Sequence, residues 1–473
     1  MSLLAQLPQI MEDSRKEYER LRSASYEKKM TSVPDGEDSQ GLLFEGDNLA
    51  LIADGLNKGW LAGKLDLIYC DPPFFTKMTQ GTRREIKSEK VPEIKAINQG
   101  AYDDIWNRDM GTYLRMLTVR MMLMRDALSD TGSIFMHLDW HAVHVVKLIM
   151  DEIFGEKNFV NEIIWTYKSG GAAKRHFSKK HDTILFYSKT DRYKFYIQKE
   201  KSYNRGYKPY RFKGVEEFQD SIGWYTLVNQ KDVWHIDMVG RSSGERVNYA
   251  TQKPSALIAN IIESVTDEGD ICADFFCGSG TLAACAAAAG RRFICADAGD
   301  LACASTAKRL LKAGVKFEWY TCRQDEPAER DGSGKCSDLI PAQSAENQEC
   351  KAAAPFDVDV VFEGSSTSLL GYSADVESMP VKTGQNDILG RLLQEDSLAF
   401  VDFWCSGSID DEDAFVADKL FIRDKKGRLV TEDIRYDEQL DIESVDEPAD
   451  RINAVLVSDI FGRTVIKYDK INI

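Results

Sequence analysis

The chain has 473 residues with 76 acidic, 60 Lys or Arg and six His, a formal net charge of −16, and 43% hydrophobic residues. That length favours two or three domains with sizeable cores, and the lack of any apolar run of about 18 residues excludes a conventional membrane helix. The N-terminus lacks a basic start followed by a long apolar stretch, so it does not read as a signal peptide, and a cytoplasmic location is expected.

Residues 1–40 read as a helical extension, a charged helix over about 3–28 followed by the loop SVPDGEDSQG. From residue 41 the pattern turns to strand and helix in alternation: LLFEG as a strand, a helix beginning at Asp47 or Asn48, then LDLIYC as the next strand. YCDPPFF follows at 69–75, where Asp71, Pro72, Pro73 and Phe74 form a stiff corner just past a strand end. Residues 76–104 are charged and aperiodic, and read as a long mobile loop of the kind that acts as a lid. A periodic helix over 111–130, a strand over 131–139 and an amphipathic helix over 141–155 continue the alternation. His137, His141 and His144 lie close together without a Glu or Cys at ligand spacing, and are read as helix-face residues with no metal site.

Two strands, NEIIWTYK and HDTILFYSK, flank a glycine loop, and the stretch to 248 is basic and aromatic. Residues 168–248 carry 17 basic and nine acidic side chains, whereas 324–473 carry 33 acidic and 15 basic. The acidity thus belongs to the tail, and the basic middle is a nucleic-acid footprint, or else a solvated face. Alternation returns with DICADFFCGSG, a strand and glycine turn, followed by a small-residue helix, the strand RFICAD and a further helix; KFEWYTC is a candidate last strand. Gly278 and Gly280 suit a tight turn that approaches a ligand, and Asp297 ends the next strand where an acid can accept from two ribose hydroxyls. GSGTLA also keeps a dinucleotide-binding dehydrogenase open. TQKP at 251–254 precedes a helix, and its Lys253 can meet a carboxylate. Residues 324–355 are a polar linker, and 356–473 form an acidic, β-rich domain. None of the ten cysteines sits in a CxxC pair, which favours free thiols in a reducing compartment.

The order DPPF, basic region, TQKP, FCGSG resembles the beta, or permuted, class of S-adenosylmethionine-dependent DNA amino-methyltransferases. GSIFMHLD, KLIMDEIFGEKNFVNEIIW and KHDTILFYSK are similar in particular to modification subunits of type III restriction systems. The resemblance covers about residues 40–315. It implies an α/β, Rossmann-like methyltransferase fold with a mostly parallel, seven-stranded sheet in circularly permuted motif order, plus the smaller C-terminal domain. The catalytic part would be 41–167, the target-recognition region 168–248 and the cofactor-binding part 249–323.

The implied activity is site-specific methylation of adenine N6 in double-stranded DNA, since DPP followed by Tyr or Phe goes with adenine in that family and SPP with cytosine N4. Cytosine-N4 methylation, an RNA substrate and a non-catalytic specificity subunit remain alternatives. Asp71 with the Pro72 carbonyl would accept the hydrogens of the target amine, behind the rigid Pro73, and Phe74 would stack on a flipped base. Asp47, Lys253, Asp274, Phe276, Gly278, Gly280 and Asp297 would hold S-adenosyl-L-methionine, with Asp274 and Lys253 at its amino-acid end. Lys174, Arg175, Lys179, Lys180, Arg205, Lys208 and Arg211 are the DNA-binding candidates. A restriction or other protein subunit and a homodimer are candidate partners. Two departures stand out: DFF where the family often has DPF or DPT, and Tyr249-Ala250 before TQKP where it has His-Pro or Tyr-Pro.

Overall fold

The computed structural model describes residues 2–24, 39–76, 79–86, 88, 90–103, 109–170, 173–240, 242–247, 249–321, 356–363, 366–376, 379, 385–409, 415–423, 429–433 and 452–468. The linker reading for 324–355 lies outside them. The chain opens with α1 (Leu3–Ser23), β1 (Gly41–Glu45), α2 (Asn48–Asn57) and β2 (Leu65–Cys70). A hairpin of β3 (Thr79–Glu85) and β4 (Ala96–Asp103) follows, then α3 (Met110–Ala127), β5 (Leu128–Leu138), α4 (Val143–Phe154), β6 (Phe159–Thr166) and β7 (His181–Ser188). The basic stretch supplies β8 (Lys199–Tyr203), β9 (Phe218–Gln219), β10 (Trp224–Asn229) and β11 (Val233–His235). Alternation resumes with α5 (Ser255–Val265), β12 (Ile271–Asp274), α6 (Thr281–Ala288), β13 (Arg292–Asp297), α7 (Asp300–Lys312) and β14 (Glu318–Thr321). The C-terminal region holds β15 (Phe356–Glu363), β16 (Ser366–Ala374), α8 (Asn386–Glu395), β17 (Val401–Ile409), β18 (Phe415–Arg423), β19 (Leu429–Asp433), β20 (Ile452–Asp459) and β21 (Thr464–Tyr468).

The main sheet has nine strands in the order β11-β6-β7-β5-β2-β12-β13-β1-β14, where the sequence led us to expect seven. The extra edge is the short β11, which pairs in parallel with β6. Pairings from β5 across to β14 are parallel, and β7 runs antiparallel to both β5 and β6. Because β7 lies inside this sheet, the division at residue 168 cuts through the main body; the separate basic unit is the small sheet β8-β10-β9.

Alternation along β2 sorts the two cores. Ile68 and Cys70 join the apolar cluster with α1 to α4, while Leu67 and Tyr69 face the cluster with α5 to α7. The head of α3 is set by a side chain: Asp109 accepts from the backbone N–H groups of Gly111 and Thr112. β2 and β12 are neighbours whose next strands, β5 and β13, lie on opposite sides, so the strand order reverses between them. In open α/β sheets that crevice, at the carboxyl ends of the strands, is where ligands bind.

The segment read as a mobile loop is instead the β3–β4 hairpin, paired from Thr79 to Glu85 against Ala96 to Asp103. Its connection is anchored far away in the chain. Ile86, Val91, Ile94 and Ile97 are buried in one cluster with Val358, Leu389, Phe400 and Trp404 of the C-terminal region. Ser88 Oγ donates to Asp396 Oδ2 at 2.6 Å, and Arg391 pairs with Glu93 at 3.1 Å. Among the described residues, four spaced apolar side chains form the apolar part of this anchor, too few for a periodic signal. The C-terminal region itself is an antiparallel five-stranded sheet, β19-β18-β17-β20-β21, with the β15–β16 hairpin and α8. It packs on α7: Lys308 meets Asp402 at 2.9 Å, and a Cβ at Gly462 would stand 2.4 Å from the Leu301 Cα. Among the described residues no helix is long and apolar enough to cross a membrane.

Candidate active site

A cavity of about 460 Å³ opens at the reversal of strand order. Asp71 follows β2, Asp274 ends β12 and Asp297 ends β13, so one edge of the sheet delivers three carboxylates to its wall. The prolines carry the chain out of β2, and the next turn separates two identical residues. Phe75 takes a left-handed φ of +61° and buries its ring 5.5 Å from that of Tyr113. Phe74 lines the cavity with Pro72 and Pro73. The strained backbone at Phe75 thereby turns Phe74 toward the pocket.

Asp71 is held at one oxygen. Its Oδ2 pairs with Lys253 Nζ, which also lies 5.1 Å from the centre of the Phe74 ring. Its Oδ1 is buried and has no hydrogen-bond partner. Lys253, read from the sequence as a cofactor contact, thus faces the carboxylate of the DPPF corner while still lining the cavity.

Behind Asp71 lies a polar group that sequence reasoning missed. His137 is fully buried on β5, not on a helix face. Its Nδ1 shares a 2.7 Å hydrogen bond with the Tyr69 hydroxyl and lies 4.0 Å from Asp71 Oδ1, and its Nε2 is 3.5 Å from Asp182 Oδ2. Burial pushes the Asp182 carboxyl up, but hydrogen bonding and charge from His137 outweigh it and hold the group below its ordinary value. Tyr167 also donates to Asp182, at 3.2 Å. The only signal for this cluster was a His near the end of an apolar strand, which resembles any core histidine until the partner strand is known.

On the other wall, the glycine turn behaves as its composition implies. Gly278 and Gly280 have φ of +51° and +66°. A Cβ at Gly278 would stand 3.2 Å from the Tyr249 ring, and one at Gly280 would collide with Thr306 at 2.5 Å. Asp297 accepts the backbone N–H of Gly278 at Oδ2 and of Gly299 at Oδ1, both at 2.9 Å. Burial raises the Asp297 carboxyl, opposed by those amides. Asp274 is pushed well above its ordinary value by burial, opposed by the Phe276 N–H and reinforced by the charges of Asp71 and Asp297. Phe276 lines the same cavity. Asp47 caps α2 through Leu49 N–H and meets Arg120 at 2.7 Å; both line the rim. Arg120, on the periodic face of α3, was not singled out from the sequence.

The basic candidates divide. Lys174, Arg175 and Lys179 are exposed on the β6–β7 loop, but Lys180 turns inward and donates to the carbonyls of Ser169 and Gly170. Arg205, Lys208 and Arg211 are exposed on the connection between β8 and β9, away from that loop in the fold order. Among the described residues no group of His, Cys, Asp or Glu could hold a metal ion.

A cavity at the reversal point, a glycine turn bonded to a strand-end acid, and a facing carboxylate held by lysine make this a Rossmann-type α/β protein with its ligand site at the switch point. More narrowly, the chain belongs to the DNA methylase family, whose N6_N4_Mtase model matches residues 65–308. It is 34% identical over 140 residues to the type II methyltransferase M.EcaI of Enterobacter cloacae, covering 29% of this chain and 28% of that protein. With the type II methyltransferase M2.LlaDCHI of Lactococcus lactis subsp. cremoris it shares 28% over 255 residues, 54% of this chain and 84% of the relative. With the EcoP15I Mod subunit, a type III restriction-modification enzyme of Escherichia coli, it shares 27% over 164 residues, 33% and 25% of the two chains. The match therefore spans about a quarter of the first and third of these relatives and most of the second.

Proposed function

We propose that this protein is a site-specific DNA methyltransferase that moves a methyl group from S-adenosyl-L-methionine to the N6 amine of a flipped-out adenine. The observation that carries this reading is Asp71 Oδ1, a buried acceptor with no partner, in the same cavity as the glycine turn. A buried oxygen left unpaired costs free energy, and a substrate N–H relieves that cost.

S-Adenosylmethionine, when bound, supplies an activated methyl on a sulfonium. The cradle suits it: Gly278 lines the cavity without a side chain, Gly280 lets the turn pack closely on Thr306, and Asp297 is fixed by two backbone amides while keeping lone pairs for ribose hydroxyls. Asp274, whose carboxyl burial pushes well above its ordinary value, is drawn back toward the charged form when a cationic amino group comes beside it.

An exocyclic amine is a weak nucleophile because its lone pair is delocalised into the ring. Asp71 Oδ1 and the Pro72 carbonyl accept its two hydrogens and draw the nitrogen toward tetrahedral geometry. Phe74 stacks on the base and fixes its plane. So held, the nitrogen lone pair would be aimed at the activated methyl that S-adenosylmethionine would supply, and the hydrogen bond to Asp71 would give the proton shed by the nitrogen a path on to water. Lys253 keeps the Asp71 carboxylate oriented, and Tyr69, His137 and Asp182 support it from behind.

Exposed Lys174, Arg175, Lys179, Arg205, Lys208 and Arg211 are the DNA contacts in this reading, with Lys180 holding the loop that carries the first three. Likeness to a Mod subunit supports a restriction subunit as a protein partner, and a homodimer remains the simplest self-association to test. The deciding experiment is transfer of labelled methyl from S-adenosylmethionine to duplex DNA, followed by nucleoside analysis. N6-methyladenine is expected; N4-methylcytosine, or label found only in RNA, would overturn the assignment.

A further inference from the structure

We propose that Phe177 is a wedge that enters the DNA stack at the place the target base vacates. This rests on the reading of the protein as a DNA methyltransferase.

Phe177 is 98% exposed, an extreme value for a phenylalanine. A single exposed apolar residue is ordinary, but this one stands on a braced loop. Lys180 Nζ donates to the carbonyls of Ser169 at 2.7 Å and Gly170 at 2.8 Å, tying the two sides of the loop together. Ser178 Oγ accepts from Ala173 N–H at 3.4 Å, and His176 Nδ1 lies 2.9 Å from the Phe177 carbonyl oxygen. The loop spends its own polar groups on holding its shape and leaves the ring in water.

Its position is equally specific. The loop returns into β7, where Thr183 is paired with Leu138 at the end of β5. Asp182, at its root, is 3.5 Å from His137, and His137 is 4.0 Å from Asp71. The loop therefore rises from the strand end that lies behind Asp71, one buried histidine away from it. Around the ring the surface is cationic, with exposed Lys174, Arg175 and Lys179. Lys179 Nζ sits 3.2 Å from the ring centre of Trp140, which is itself 46% exposed just past β5.

Flipping a base out of a duplex leaves a gap between its neighbours, and apolar side chains inserted at such steps replace lost stacking. Stacking of an aromatic ring on a base is worth about tenfold or more in equilibrium terms. The flanking cations would grip the phosphates on either side, so the ring is delivered to the stack rather than to the backbone.

The test uses the full chain and a duplex carrying the site found by sequencing modified bases in DNA from cells expressing the protein. Wild type, Phe177→Ala and Phe177→Trp are compared in single-turnover methylation. One duplex is fully paired; in the other the target base faces an abasic position. With Phe177→Ala the paired duplex should react about tenfold or more slowly, while the duplex with the abasic position reacts within about threefold of wild type and DNA affinity changes little. Phe177→Trp should keep the wild-type rate on both. A Phe177→Ala rate unchanged on the paired duplex, or lowered equally on both, would overturn the wedge while the methyltransferase reading stands. Failure of the wild type to methylate any DNA would overturn that reading and the wedge with it. The exposed ring packs on nothing, so its loss leaves folding intact.

Discussion

Lys253 and Asp71 are paired across 182 positions of sequence, and the pair uses only one oxygen of the carboxylate. One oxygen of Asp71 is therefore committed to Lys253, while the other is buried without a hydrogen-bond partner, 4.0 Å from His137 Nδ1. Both side chains are mostly shielded, at 11% and 16% exposure, so salt screens their attraction less than that of a surface ion pair.

Replacing Lys253 with Met should lower kcat by about tenfold or more, because Asp71 loses its orienting partner, while the dissociation constant for S-adenosylmethionine stays within about threefold. Lys253→Arg should recover part of the rate. Calorimetry for the cofactor beside steady-state methylation checks this. A large loss of cofactor affinity with little change in kcat would return Lys253 to the cofactor's amino-acid end.

Asp71→Ala should abolish methyl transfer while leaving cofactor binding within a few-fold. Asp71→Asn should fail nearly as badly, since its amide can offer a donor where the amine needs an acceptor. Near-normal turnover by either variant would contradict the amine clamp.

The glycine turn divides into two tests. A Cβ at Gly280 meets Thr306 at 2.5 Å in addition to an unfavourable φ of +66°, whereas at Gly278 the nearest atom, on Tyr249, is 3.2 Å away. Gly280→Ala should cost about 2–4 kcal/mol, from left-handed strain plus overpacking, and Thr306→Ser should restore part of it. Gly278→Ala should cost less stability but weaken cofactor binding. Thermal unfolding of the single and double variants, with cofactor titrations, separates the effects.

Stability should carry the mark of Asp274. Its folded carboxyl is raised well above the ordinary 3.8 by burial. The folded state then binds more protons than the unfolded state above that value, and stability contributed by this group falls as pH rises toward the folded pKa. Asp274→Asn keeps an oxygen for the Phe276 N–H, so its Tm relative to wild type should rise between pH 4 and 8 without cofactor. A Tm difference independent of pH would refute the assignment.

Most of the strand and helix order was legible because buried parallel strands are short apolar runs and covering helices have a 3.6-residue period. LDLIYC, DICAD and RFICAD became neighbours β2, β12 and β13, and their terminal or following acids converge for that reason. What stayed hidden depended on long-range pairing. Asp182 and His137 meet because β7 runs antiparallel to β5, and nothing in either local sequence announces it. β11 joins the main sheet with three residues, too few for alternation to register. Lys180 looked equivalent to Lys179, but one braces the loop and the other covers Trp140.

The anchored hairpin after the DPPF corner bears on how such a protein can be recombined. The polar stretch at 324–355 looks like a natural seam for exchanging C-terminal regions between relatives. The interface ignores that seam, because Ile86, Val91, Ile94 and Ile97 belong to the core on its far side. A chimaera joined at 324–355 would inherit one parent's plug and the other's socket, and a shortened chain would leave the plug in water. Exchange would have to carry two stretches at once, about 79–103 together with 356–468. The region that looks most dispensable on the map of the chain is thus tied to the segment that leaves the catalytic corner.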